Sequence, residues 1–280
     1  MKLKEKMTFM DVVWRLVLYV WALSILFPLV WVFYESLKSN PEFFKDIWSL
    51  PKKQQWSNYT TAWTEYGFGR SLLNTLYYVG GSLVVSLFFT TLNAYALTRM
   101  EFKGRQLIWG LIMLSLFLPG INALVPQYVI MRELHLTNSL TGLILLSSLG
   151  ESVFYLMLLG GFMKSLPRDM EESAHIDGAS IFQVFSRVIV PLSTPGIVTV
   201  AIFKFLGYYN NFMGPFIYLS DPEKYTIAVQ MYQANKMMEF TADWVTLFAG
   251  VMIAMVPSII VFMLFQRMIM QGATLGAVKG

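Results

Sequence analysis

The sequence contains no cysteine. That excludes a disulfide framework and thiolate chemistry. Histidine occurs only twice, at His135 and His175. The two are far apart in the chain and fall on opposite sides of the topology read below, so no metal site built on them is expected. No H-E-x-x-H, phosphate-cradling Gly-rich loop or G-x-S-x-G occurs, so the residues of a zinc protease, a P-loop ATPase and an α/β-hydrolase are missing. No nucleophile–base pair stands out either, and the chain reads as no enzyme. The repeat that marks many secondary transporters is also missing. Charge is scarce: 14% of residues are charged, where a soluble domain carries roughly a quarter.

What the sequence has in excess is apolar residues, 56% of 280, in long runs. A membrane span needs about 20 of them in succession. Six segments qualify: 12–34, 71–97, 107–131, 141–163, 194–219 and 245–268. Each must be helical, because lipid cannot satisfy open backbone groups. The expected fold is therefore an all-α integral membrane protein with six transmembrane helices and both termini on one side. The basic start before the first run resembles a secretory leader. The run is too long for one and no A-x-A-like cleavage site follows, so an uncleaved span is expected. With both termini inside, the inner pieces hold twelve Lys and Arg and the outer pieces eight. This places the termini and the segment 164–193 in the cytoplasm. The expected organisation is a cytoplasmic N-terminus over 1–11, a six-helix domain over 12–268 and a cytoplasmic tail over 269–280. The net charge of +4 flanks the apolar runs rather than forming a patch, so no nucleic acid is expected.

Residues 167–191 are polar between apolar spans. Pro167 can open a helix, where its missing N–H costs nothing. Asp169, Glu171 and Glu172 complement the positive dipole end of that helix. Gly178 permits a tight turn. Ser180 and Gln183 have capping-box spacing for a second helix, and Pro191 stops or bends it. The segment reads as a helix–turn–helix bracket.

Other polar residues interrupt the spans. Pro119, Gly120 and Pro126 should bend the third. Glu151 lies about ten residues, ~15 Å, from the outer end of the fourth, and Lys204 is at similar depth in the fifth. A carboxylate at that depth faces a cavity or a partner. The fifth span continues Tyr208, Tyr209, Asn210 and Asn211. These are costly in hydrocarbon unless hydrogen-bonded, either to neighbouring helices or to a polar substrate. The segment 35–70 is rich in aromatics. Trp48, Trp56 and Trp63 fit an interfacial belt or a small surface lobe.

Several of these stretches carry a resemblance. Glu172-Ser173-Ala174 followed by Asp177-Gly178-Ala179-Ser180 resembles the "EAA" loop of ABC importer permeases, with Ser173 where the family usually has alanine. A-Y-A-L-T-R, ending at Arg99, resembles the family's A-Y-A-x-x-R. Ser36-Leu37-Lys38 and Asn58-Tyr59 resemble its sugar-importing branch. Tyr209-Asn210-Asn211-Phe212 and Pro215 stand where the family often has W-N-E-F-x-x-P. The ending Q-G-A-T-L-G-A-V-K-G resembles the tail of maltose-type permeases. The resemblance implies a type I ABC importer permease fold and a carbohydrate, an oligosaccharide, as cargo. It implies that Glu171, Glu172, Ser173, Ala174, Asp177, Gly178 and Ala179 couple to a separate ATPase dimer. It further implies that Gly276, Ala277, Val278, Lys279 and Gly280 reach that dimer. ATP and magnesium would then be bound by the ATPase, and this chain would hold no cofactor. A second permease chain and an extracytoplasmic sugar-binding protein complete the implied assembly, in a bacterial cytoplasmic membrane. Glu151, Tyr208, Tyr209, Asn210 and Asn211 are the candidate substrate path. The rival reading is an ion-coupled secondary transporter that uses Glu151.

Overall fold

The structure, a computed structural model, describes residues 9–117, 123–150 and 153–277. Among these residues there are helices and loops and no β-strand. The chain divides into two compact units. One gathers Met1–Gly69 with Met231–Val256, the other Arg70–Gln230 with Pro257–Gly280.

Three helices are long and apolar enough to cross a membrane alone: α1 (Phe9–Glu35), α4 (Phe68–Arg99) and the Trp244–Gln266 part of α15 (Trp244–Ala277). They match the first, second and sixth expected spans. Pro28 and Pro257 lie inside α1 and α15, as membrane helices tolerate. The fourth and fifth expected spans are not single rods. α7 (Leu140–Leu149) and α8 (Val153–Lys164) differ in direction by 57°. The fifth span, α12 (Thr194–Tyr209), ends at the Asn210–Asn211 pair, and α13 (Met213–Tyr218) restarts after it. The third is α5 (Arg105–Leu114), a 3-10 turn over Ser115–Phe117, and α6 (Leu124–Glu133). Pro119 and Gly120 lie outside the described residues. Pro126 falls in the first turn of α6, where its N–H would have had no intrahelical partner. It opens a helix there and does not bend one. The segment 221–244, between the fifth and sixth expected spans, contains α14 (Ile227–Thr241).

In the first unit, residues 35–69 form a lobe with α2 (Asn40–Lys45) and α3 (Ser57–Thr64). Its centre is Lys38. The Nζ group pairs with Glu35 Oε1 at 2.7 Å, both side chains fully buried, and donates to the Asp46 and Ile47 carbonyls at 3.1 and 3.3 Å. Asn58 Nδ2 donates to the Ser36 and Lys38 carbonyls, both at 2.8 Å, and the Ser36 and Tyr59 hydroxyls bond at 2.7 Å. The S-L-K and N-Y stretches, some twenty residues apart in the chain, thus recognise each other. Asp243 accepts from Asn40 Nδ2 at 2.7 Å and from the Tyr66 hydroxyl at 3.1 Å. Trp48 is exposed, tilted against Trp31 and stacked on Phe27 of α1. Phe68, fully buried, fills the space left by Gly250.

In the second unit the core joins α4, α8, α12 and the bracket. Ala94, Tyr95, Leu156, Leu159, Met163, Val184, Phe185, Ile189 and Val200 are all buried there. At the other end of α4, Asn74 donates to the Glu223 and Tyr225 carbonyls, and Thr75 accepts from the Ile227 amide at 2.7 Å.

Candidate functional site

The bracket is present as a helix, a turn and a second helix. α9 (Asp169–Ile176) carries Asp169, Glu171 and Glu172 in its first turn. Pro167 lies two residues ahead of it, and the Glu171 and Glu172 amides instead bond the Arg168 carbonyl. Pro167 is therefore not the first helical residue. The reason lies next door: the Pro167 carbonyl is held by Arg99. At the turn, Gly178 has φ +80°, the left-handed region that glycine enters without steric cost. Its N–H bonds the His175 carbonyl and that of Ala179 bonds the Ala174 carbonyl, both at 3.0 Å. These two bonds are the Schellman pattern that ends a helix. Ser180 and Gln183 then cap α10 (Ile181–Val184) reciprocally, at 3.3 and 2.8 Å. A π-turn over Phe185–Ile189 and α11 (Val190–Leu192) follow. Past Pro191 the chain turns by 74° into α12.

Helical spacing divides the predicted coupling residues into two sets. Ala174 and Ala179 pack on the buried core. Glu171 also points inward, where its carboxylate forms an ion pair with Arg99. The Arg99 guanidinium further donates to the Leu166 and Pro167 carbonyls at 3.0 and 3.3 Å. Glu172, Ser173, Asp177 and Gly178 are exposed. Beside them stand Ile176 and Phe182, 86% and 71% exposed. The outward face thus combines two acids, Glu172 and Asp177, with two large apolar side chains around a hydrogen-bonded turn. Sequence reasoning did not single out Ile176 and Phe182. An apolar residue at an outward helical position was the available signal.

Among the substrate-path residues, the structure joins two and separates two. The Asn211 amide donates to the Tyr78 hydroxyl at 3.1 Å and accepts from the Gly214 N–H at 3.2 Å. The Tyr78 hydroxyl bonds that of Ser147 at 2.9 Å, and Tyr208 donates to the Ser147 carbonyl at 3.3 Å. Tyr78 and Tyr208 meet edge to face at 6.1 Å. Tyr209 is buried on another side of α12, stacked on Phe205 at 5.6 Å. Asn210 is exposed and bonds the Leu206 carbonyl of its own helix. Consecutive helical residues point about 100° apart, so four in a row cannot share one site. Glu151 lies outside the described residues. Lys204 is buried, donates to Thr90 Oγ1 at 2.7 Å and lies 5.0 Å from the Tyr155 ring centre. Tyr78, Thr90 and Ser147 were missed. Each is a hydroxyl inside an apolar run, the same signal that drew attention to the asparagines.

The tail divides too. α15 continues through Ala277, so Gly276 and Ala277 lie at the end of that helix. Val278, Lys279 and Gly280 lie outside the described residues.

Residues 7–274 match the family model of the binding-protein-dependent transport system inner membrane component. The chain is 33% identical over 262 residues to a diacetylchitobiose uptake system permease protein of Streptomyces coelicolor, covering 94% of this chain and 87% of that one. It is 31% identical to a trehalose transport system permease protein of Mycobacterium tuberculosis, covering 91% and 93%. Its fold is similar to that of a chain in the crystal structure of a bacterial ABC transporter involved in the import of the acidic polysaccharide alginate. The TM-score there is 0.82 at 23% identity, over 94% of this chain and 99% of that one. With a family match over nearly its whole length and these relatives, the chain belongs to the inner membrane components of binding-protein-dependent transport systems.

Proposed function

We propose that this chain is the permease subunit of a bacterial ABC importer that carries a carbohydrate, an oligosaccharide, into the cytoplasm. The family match is the single observation that carries this reading. The relatives named for diacetylchitobiose, trehalose, arabinooligosaccharides and galactooligosaccharides support the cargo class. The same match speaks for an ATP-driven importer rather than the ion-coupled alternative built on Glu151. A solved relative's alginate transporter is in complex with a pentasaccharide-bound periplasmic protein, which supports an extracytoplasmic binding protein as partner here. A second permease chain and an ATPase dimer complete the assembly, and the ATPase binds ATP and magnesium.

In this arrangement six crossings place the termini and the bracket in the cytoplasm, with residues 105–133 forming the third crossing. Glu172, Ser173, Asp177 and Gly178 dock with Ile176 and Phe182 on the ATPase, and the end of α15 lies towards it. Sugar hydroxyls compete for the Tyr78, Tyr208 and Asn211 hydrogen bonds as the pathway opens. Purifying the tagged chain from its native membrane, identifying its partners by mass spectrometry and measuring uptake tests the reading. We expect an ATPase, a second permease chain and oligosaccharide uptake that stops on ATP depletion. Uptake that survives ATP depletion and collapses with the ion gradient would overturn it.

A further inference from the structure

We propose that Arg99 is the positioning residue that fastens the bracket to α4, so that the two move as one body when the ATPase closes. This rests on the reading that the outward face of the bracket docks on an ATPase. Arg99 is the last residue of α4. Its side chain is 3% exposed and that of Glu171 is 13% exposed. One guanidinium engages three groups on two connected segments: the Glu171 carboxylate in α9, and the Leu166 and Pro167 carbonyls in the link from α8 to α9. The planar fork of arginine suits such a multiple grip, and a lysine ammonium does not reproduce it. Nearby, Thr98 fills the space left by Gly160 of α8. The cytoplasmic end of α4 is thus locked to α8 by packing and to α9 by charge.

What lies further along α4 gives this attachment its use. Thr90 takes the hydrogen bond of Lys204, and Tyr78 bonds Ser147 and Asn211. Tyr78 precedes Arg99 by 21 residues of unbroken helix, about 32 Å at 1.5 Å per residue. A helix gripped at one end by the bracket and bonded at the other to α7 and the α12–α13 break carries displacement between them. Glu171 therefore belongs to the fastening, while Glu172, one residue on, belongs to the docking face.

The chain has no cysteine, so Met170→Cys on α9 and Val84→Cys on α4 give a unique pair of spin labels. In the native complex, the distance between them should be narrow and the same with and without ATP. In Arg99→Met it should broaden, and sugar taken up per ATP hydrolysed should fall on the order of tenfold. Glu171→Gln should do the same, Arg99→Lys should lose less, and the exchange Arg99→Glu with Glu171→Arg should recover part of the loss. If Arg99→Met does not assemble, Glu171→Gln decides. A narrow distance and a normal uptake-to-hydrolysis ratio in Glu171→Gln overturn the proposal, as does a wild-type distance that changes with ATP. The label pair lies within this chain. Absence of an ATPase from the wild-type complex therefore sinks the docking reading separately, while the distances still judge the fastening.

Discussion

The lobe and the bracket each rest on a buried ion pair, and the two pairs are built differently. Glu35 and Lys38 are three residues apart, fully buried, and Lys38 also holds two carbonyls within the same lobe. Arg99 and Glu171 are separated by 72 residues and join two elements that have no local reason to meet. A local pair fixes the shape of its own loop. A distant pair fixes one element against another, and so can transmit. The lobe reads as a rigid surface feature, the bracket as a part attached for movement.

The largest effect expected from breaking this comparison is at Lys38. Lys38→Met leaves the Glu35 carboxylate buried without its cation, a loss of about 3–5 kcal/mol. Thermal unfolding in detergent and protease cleavage within residues 35–69 would report it. The double change Glu35→Leu with Lys38→Met should recover most of the loss, because an apolar pair leaves no buried charge. A change below about 1 kcal/mol, the scale of exposed pairs, would show that the lobe does not depend on its pair. The Arg70–Glu223 pair, with side chains 63% and 62% exposed, is the control, and its loss should be nearly silent.

At the bracket, Gly178→Val forces a β-branched residue to φ +80°. The cost is about 1–2 kcal/mol for an L-residue in the left-handed region. No atom lies within 4 Å of the added Cβ, so the cost is backbone strain rather than collision. We expect an assembled complex with reduced uptake, and a milder loss in Gly178→Asn, since asparagine tolerates this region. Normal ATPase stimulation and uptake in Gly178→Val would remove the turn from the coupling surface.

Smaller effects belong to the polar cluster. Tyr78→Phe removes the hydroxyl shared by Ser147 and Asn211, worth about 0.6 kcal/mol per bond between membrane helices. If the cluster lines the sugar path, Tyr78→Phe and Asn211→Ala should change relative uptake of two oligosaccharides while the complex still assembles. Lost assembly with unchanged preference would assign these residues to helix packing.

The smallest concerns Glu42. The Ser39 N–H, which donates to its carboxylate at 3.2 Å, holds that carboxyl below its ordinary 4.5. Its contribution is present above pH 4.5 and is lost as pH falls through the lower folded value. Lobe protease sensitivity should rise in that acid window, and Glu42→Gln should reduce the rise.

Much of this was legible in the sequence. The turn at Gly178, the Ser180–Gln183 cap and three of the spans follow from local chemistry that a few neighbouring residues determine. The break at Asn210–Asn211 and the 3-10 turn over Ser115–Phe117 were harder, because a hydropathy run does not distinguish a continuous helix from an interrupted one. The partners were not legible. S-L-K and N-Y stood out as separate stretches, as did A-Y-A-L-T-R and the acids of α9. Only the folded chain shows that Ser36 meets Tyr59 and that Arg99 claims Glu171 while leaving Glu172 exposed. Pro167 was misread for the same reason, since its carbonyl is taken by a residue 68 positions away.

The most direct test of the account exploits that division of the bracket. Single cysteines at Ile176 and Ser173, on the outward face, and at Ala174, on the core side, can be placed in a chain with no other cysteine. A short bifunctional reagent is then applied to the complex in native membranes. The account predicts cross-links from Ile176→Cys and Ser173→Cys to a co-purifying ATPase, altered by ATP, and none from Ala174→Cys. No cross-link from either outward position, or equal cross-linking from Ala174→Cys, would contradict it.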